Sequence, residues 1–74
     1  MTITQLEYVL SVDKNRHFRK ASQECHISQP TLSMQIQKIE DTLGFIIFDR
    51  SKNPVIPTVE GEKFIHQARV VLRE

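Results

Sequence analysis

Four apolar stripes at helical spacing, a two-residue link between the second and third, and a turn-rich stretch before the last predict a mainly α-helical fold. The order helix, helix, tight turn, helix, hairpin, helix is that of a winged helix-turn-helix, with a three-helix core, a small β-hairpin wing and a C-terminal linker helix. The 74 residues suffice for one domain. A chain this short is marginally stable alone, so a partner or a larger parent protein is expected.

Each element carries its own signal. In the first helix, Thr2-x-x-Gln5 and Thr4-x-x-Glu7 both fit the capping-box spacing, so either threonine can be the N-cap. Leu6, Val9, Leu10 and Asp13 follow, their apolar members on one stripe, and Asn15 is a reasonable stop. A short second helix covers roughly 19–25, with Phe18, Ala21 and Cys25 on one side; the small Ala21 lets another helix approach closely. His26-Ile27 is too short for anything but a turn. The third helix begins at Ser28, whose hydroxyl can accept from first-turn amides. Pro30 is tolerated there, Leu32, Ile36, Ile39 and Leu43 form the apolar stripe, and Gly44 suits a left-handed C-cap.

In FIIFDRSKNPVIPT, apolar runs 45–48 and 55–56 flank the turn residues Asp49 to Pro54. This reads as a hairpin, with Pro54 and Pro57 confining its second strand to an edge. Thr58 caps a final helix running to Glu74, about 24 Å long, with Phe64, Ile65, Ala68, Val71 and Leu72 as its apolar members. No stop signal precedes Glu74, so the chain is expected to leave off mid-helix.

Ten basic against nine acidic residues leave a net charge of +1, too small to announce nucleic-acid binding by bulk charge. Distribution is more telling. Lys14, Arg16, His17, Arg19 and Lys20 cluster within seven positions, Arg50 and Lys52 flank the hairpin turn, and acids collect at Glu40, Asp41, Glu60 and Glu62. The split suits one basic face on a nearly neutral body, or a merely solvated cluster. No apolar run is long enough to span a membrane, and the N-terminus lacks signal-peptide character. Cys25 is the only cysteine, which excludes an internal disulfide and fits a cytoplasmic location.

The third helix shows an unusual face. Exposed helix faces usually carry Glu and Lys, yet SQPTLSMQIQKIEDTLG opens with Ser28, Gln29, Pro30, Thr31 and Ser33, and its first charge is Lys38. At 100° per residue, Pro30, Ser33, Met34, Gln37, Lys38 and Asp41 point away from the apolar stripe, with Gln29 near its boundary. Base edges in the major groove offer donors and acceptors together, and thymine adds a methyl. A Gln amide donates and accepts at once, Ser and Thr adapt to either role, and Pro or Met can touch a methyl. Glu would be repelled by DNA, and Lys would bind phosphate without sequence preference. The bland alternative is a helix start followed by exposed filler; the neighbouring short helix, tight turn and hairpin weigh against it.

The segment ASQECHISQPTLSMQIQKIEDTLGFIIFDRS resembles the N-terminal domain of LysR-type transcriptional regulators, and the match covers essentially the whole chain. Its markers are QLEYVLSV, Phe18 and Ala21, ISQPTLS, Ile39-Glu40 with Leu43-Gly44, Phe48 with Arg50, and Thr58 with Gly61. HFRKAS, CHISQPTLS and ARVVLRE are most similar to OxyR-like, peroxide-sensing members. The resemblance implies a sequence-specific DNA-binding domain at 1–58 and the start of a linker helix at 59–74, the C-terminal effector-binding domain lying outside this chain. It implies base contacts from Gln29, Pro30, Ser33 and Met34, and phosphate contacts from Arg19, Ser28, Thr31, Gln37, Lys38, Arg50 and Lys52. It also implies a homodimer paired through Phe64, Ile65, Ala68, Val71 and Leu72 of the linker helix, with a tetramer open to a full-length member. Many members carry Arg where this chain has Met34 and Gln37. Met34 cannot make the bidentate contact to guanine, which shifts weight onto DNA shape.

Other chemistries find less support. Cys25 next to His26 suggests a nucleophile and base, but adjacent helical side chains diverge by about 100°. Cys25 lies on the stripe with Phe18 and Ala21 and is expected to be a buried structural thiol rather than a redox centre or ligand. His17, His26 and His66 have no zinc-like spacing, no Gly-rich phosphate loop exists, and no cofactor is expected. No acid–base or nucleophile constellation points to an enzyme. The competing class is a protein-interaction module docking through Met34 and the wing.

Overall fold

The computed structural model describes residues 1–74 as α1 (Ile3–Asn15), α2 (Phe18–Glu24), α3 (Gln29–Leu43), β1 (Phe48–Asp49), β2 (Ile56–Pro57) and α4 (Val59–Leu72). Thr2 is the N-cap of α1. Its hydroxyl accepts from the Gln5 amide at 3.1 Å, and the Gln5 side chain accepts from the Thr2 amide at 3.0 Å, closing a capping box. Arg16, in the left-handed region at φ 54°, ends the helix. His17 caps α2 through Nδ1, so that helix starts at Phe18 and ends before Cys25. The turn to α3 bends at His26, whose φ of 59° is left-handed although no glycine marks the place. Ser28 and Gly44 cap α3 as expected, Gly44 at φ 80°.

One core holds these elements together. Val9, Leu10 and Val12 of α1, Ala21 of α2, and Leu32, Ile36 and Ile39 of α3 meet Ile47, Phe48, Val55, Ile65 and Ala68. Burying each large aliphatic side chain contributes about 1.5–3 kcal/mol. Ala21 is fully buried, and the Ser11 hydroxyl reaches its carbonyl at 3.5 Å, the close helix approach that a small residue permits. The Val55 amide donates to Arg16 O at 3.0 Å, tying the second arm of the wing to the end of α1.

Three expectations need revision. The wing strands are two residues each, paired antiparallel as Phe48↔Pro57 and Asp49↔Ile56, not runs over 45–48 and 55–56. The Ile47 and Phe48 amides instead donate to Glu40 Oε2 at 2.8 and 3.3 Å, and Ile47 O accepts from the Thr58 amide at 2.8 Å. Those backbone groups are therefore not available to lengthen the ladder. The final helix stops at Leu72, not Glu74. Arg73, at φ 58°, donates to Val70 O, and the Glu74 amide donates to Arg69 O, the paired bonds of a Schellman close. Cys25 is half-buried outside the core cluster, because it lies past the last turn of α2 and not on its inner face.

Candidate nucleic-acid interface

Leu32, Ile36 and Ile39 anchor α3 and present the opposite face to water. Ser28, Gln29, Pro30, Gln37 and Lys38 are exposed, as is Met34 at 46%. Thr31 and Ser33 are half-buried. The Ser28 hydroxyl donates to Thr31 Oγ1 at 2.8 Å and accepts from the Thr31 amide at 3.2 Å, so it is occupied by capping, while the Thr31 proton stays free to donate. The first turn of α3 has no carboxylate, and its amide end is attractive to anions.

The wing closes on this helix through Arg50. Its Nη1 donates to Ser33 Oγ, and its Nη2 donates to Ser33 O at 3.3 Å and lies 3.7 Å from Glu40 Oε1. Its Cζ sits 4.5 Å from the centroid of the Phe18 ring, which meets Phe48 edge-on at 6.5 Å. Phosphate binding was the role expected of Arg50 and base contact that of Ser33, yet in the free chain each satisfies the other.

Glu40 is the residue that sequence reading missed. Grouped by sequence with Asp41, Glu60 and Glu62, it is buried, one oxygen accepting from two loop amides and the other facing Arg50. The signal was present: Glu40 follows Ile36 by four residues and so shares the inner side of α3.

The basic cluster at 14–20 also divides. Lys14 pairs with Glu24 at 2.9 Å and Arg16 with Asp13 at 3.0 Å, leaving Arg19 and Lys20 without an ion pair. Lys38 and Lys52 are likewise unpaired and exposed. Asp49 in the wing is held below the usual carboxylate range, first by the Ser51 hydroxyl and then by its amide. With Arg50 engaged by Ser33 and Glu40, Lys52 is the wing cation that makes no ion pair.

The expected dimer stripe on α4 splits as well. Ile65 and Ala68 are 3% and 2% exposed, and Phe64 and Leu72 pack against the same core. Only Val71 of the five faces solvent fully, joined by Val70. Within its own chain, α4 packs part of this stripe against the core.

A reading helix with a polar, carboxylate-free opening turn, set beside a wing and three unpaired lysines, defines a winged helix-turn-helix of the DNA-reading class. The chain belongs to the LysR family: the model for the bacterial regulatory helix-turn-helix protein, lysR family, matches residues 3–62. Over all 74 residues it is 49% identical to the DNA-binding transcriptional dual regulator OxyR of Escherichia coli strain K12, and covers 24% of that protein. Full-length OxyR of Pseudomonas aeruginosa, solved as a variant, superposes with a TM-score of 0.92 at 46% identity, covering 99% of this chain and 25% of that one. The BenM DNA-binding domain, solved with benA site 1 DNA, gives 0.95 at 37% identity, covering 99% of this chain and 82% of that one. The chain is thus a LysR-type DNA-binding domain with OxyR relatives, and spans about a quarter of their length.

Proposed function

We propose that this chain is the sequence-reading head of a longer cytoplasmic transcription regulator that binds double-stranded DNA as a homodimer. The opening of α3 carries the proposal: Gln29, Pro30 and Met34 are exposed on a helix whose other side is locked into the core. Inserted in a major groove, the Gln29 amide suits adenine, while Pro30 and Met34 suit thymine methyl groups. Arg19, Thr31, Gln37, Lys38 and Lys52 would meet phosphates on either side, and Ser28 would join them by turning its proton away from Thr31 Oγ1, contacts that fix register without carrying sequence information. Val70 and Val71 are the apolar surface of α4 left for a second copy. Because the relatives include OxyR, a peroxide response housed in a further domain is the favoured regulation, and no catalytic role is assigned.

Binding to duplexes selected from a randomised pool tests this. Lys38→Ala should lower the slope of log affinity against log salt by roughly one on every sequence. Gln29→Ala should cost about 1–3 kcal/mol on the selected duplex and relax preference at one position. Equal weakening on selected and random duplexes would remove base reading from Gln29. Sedimentation that finds only monomer at high concentration would count against pairing through α4.

A further inference from the structure

Arg50 stands at the junction of wing, α2 and α3, with its guanidinium committed inside the chain. We infer that Arg50 is a positioning residue for sequence reading, holding the Ser33 hydroxyl as a hydrogen-bond donor toward DNA, and not a phosphate contact. The inference rests on the DNA-reading function proposed above.

Three observations carry it. First, the guanidinium already meets Ser33 Oγ, Ser33 O at 3.3 Å, Glu40 Oε1 at 3.7 Å and the Phe18 ring at 4.5 Å. A phosphate that drew the arginine outward would break these contacts, although the side chain is 35% exposed and keeps further N–H groups. Second, the carboxylate of Glu40 lies beside the cation, and Glu40 is itself held by the Ile47 and Phe48 amides. The pair presents little net charge to an anion. Third, a serine hydroxyl has one proton and two lone pairs. A charged donor on one lone pair makes the oxygen a poor acceptor for further donors and leaves its own proton to point away.

Ser33 is one helical turn beyond Gln29 and Pro30 and adjacent to Met34, within the polar opening stretch of α3. So constrained, it favours acceptors such as purine N7, guanine O6 or thymine O4. It disfavours the amino groups of adenine and cytosine. An adaptable hydroxyl thereby acquires a preference. Glu40 reaches back toward Ser33 from two turns further along, since helical side chains tilt toward the N-terminus.

The test uses a duplex selected by the wild-type chain from a randomised pool, its single-base variants, and a random duplex of equal length. All are titrated across salt, alongside thermal melts. For Arg50→Lys, which keeps the charge but loses the planar fork, the salt slope should be unchanged. The selected-to-random affinity ratio should fall roughly 5- to 100-fold. The loss should centre on the base pair that Ser33→Ala also relaxes, and the double variant should be no less selective than Ser33→Ala alone. A phosphate contact predicts the reverse: Arg50→Lys keeps the ratio, and Arg50→Ala flattens the slope by about one; that result overturns the inference. So does a lowered melting temperature with both duplexes weakened equally, the mark of a purely structural tie. An unchanged base preference in Ser33→Ala overturns it too. If the wild-type chain selects no sequence, or Lys38→Ala leaves the slope intact, the DNA-reading function itself fails, and this inference with it.

Discussion

Gly61 illustrates how much one residue can owe to its neighbours. In sequence it sits between two glutamates at a helix start, where the acids suit the helix dipole. In the folded chain a Cβ on Gly61 would lie 2.0 Å from Ile47 O, a backbone atom held in turn by the Thr58 amide. The backbone conformation of Gly61 is ordinary; the close approach of α4 to the 46–47 loop is what excludes a side chain. Gly61→Ala should destabilise the chain by about 3 kcal/mol, the upper range for overpacking, because the clash is with main chain. Urea unfolding measures it, and a loss under 1 kcal/mol would mean that the loop yields easily. Ser33, Glu40 and Arg50 make the same point for polar groups. Each was legible as a residue type, and their mutual satisfaction was not, since Arg50 is distant in sequence from both partners.

Among elements, the caps follow local rules closely. Thr2, Ser28 and Thr58 each accept from the amide three residues on, and Gly44 closes α3. The tie between α1 and α2 is electrostatic at its open end, where Glu24 accepts from Lys14 at 2.9 Å and from Ser11 at 3.0 Å. The Lys14 hydrogen bond, aided by Ser11, holds the Glu24 carboxyl below its usual range, and Glu24 in turn holds the Lys14 ammonium above its own. A depressed carboxyl stabilises the fold above its unfolded value, and that share is lost as pH falls through the lowered one. A raised ammonium stabilises below its unfolded value, and that share disappears only as pH climbs through the raised one. Glu24→Gln should therefore flatten the acid limb of stability below about pH 4.5 and leave the remaining pH dependence near neutrality unaltered. Denaturant melts across that range give the comparison. Both side chains are largely exposed, so the difference should shrink at high salt.

For the whole molecule, Asp13 decides how the last helix joins the others. Its carboxylate, 8% exposed, accepts from Arg69 of α4 and pairs with Arg16 at 3.0 Å. Together with Ile65 and Ala68 in the shared core, this ties α4 to α1 within the chain. Asp13→Ala should cost about 2 kcal/mol, with no buried cation stranded because both arginines reach water. Amide exchange should rise more in the last turns of α4 than in α3; equal protection in both would show that the apolar contacts alone hold α4.

Periodicity, capping chemistry and turn residues act over a few positions, so helices, wing and reading face could all be inferred from the order of amino acids. The polar opening of α3 belongs to that group, because burial of Leu32, Ile36 and Ile39 on one side leaves Gln29, Pro30 and Met34 on the other. Pairings between distant residues emerged only once the elements met. They turned Glu40 inward, occupied Arg50, shortened the strands and drew all of the α4 stripe but Val71 toward the core. Apolar character marks a side chain for burial without saying against what, and charge marks a need for a partner without naming it; packing supplies both.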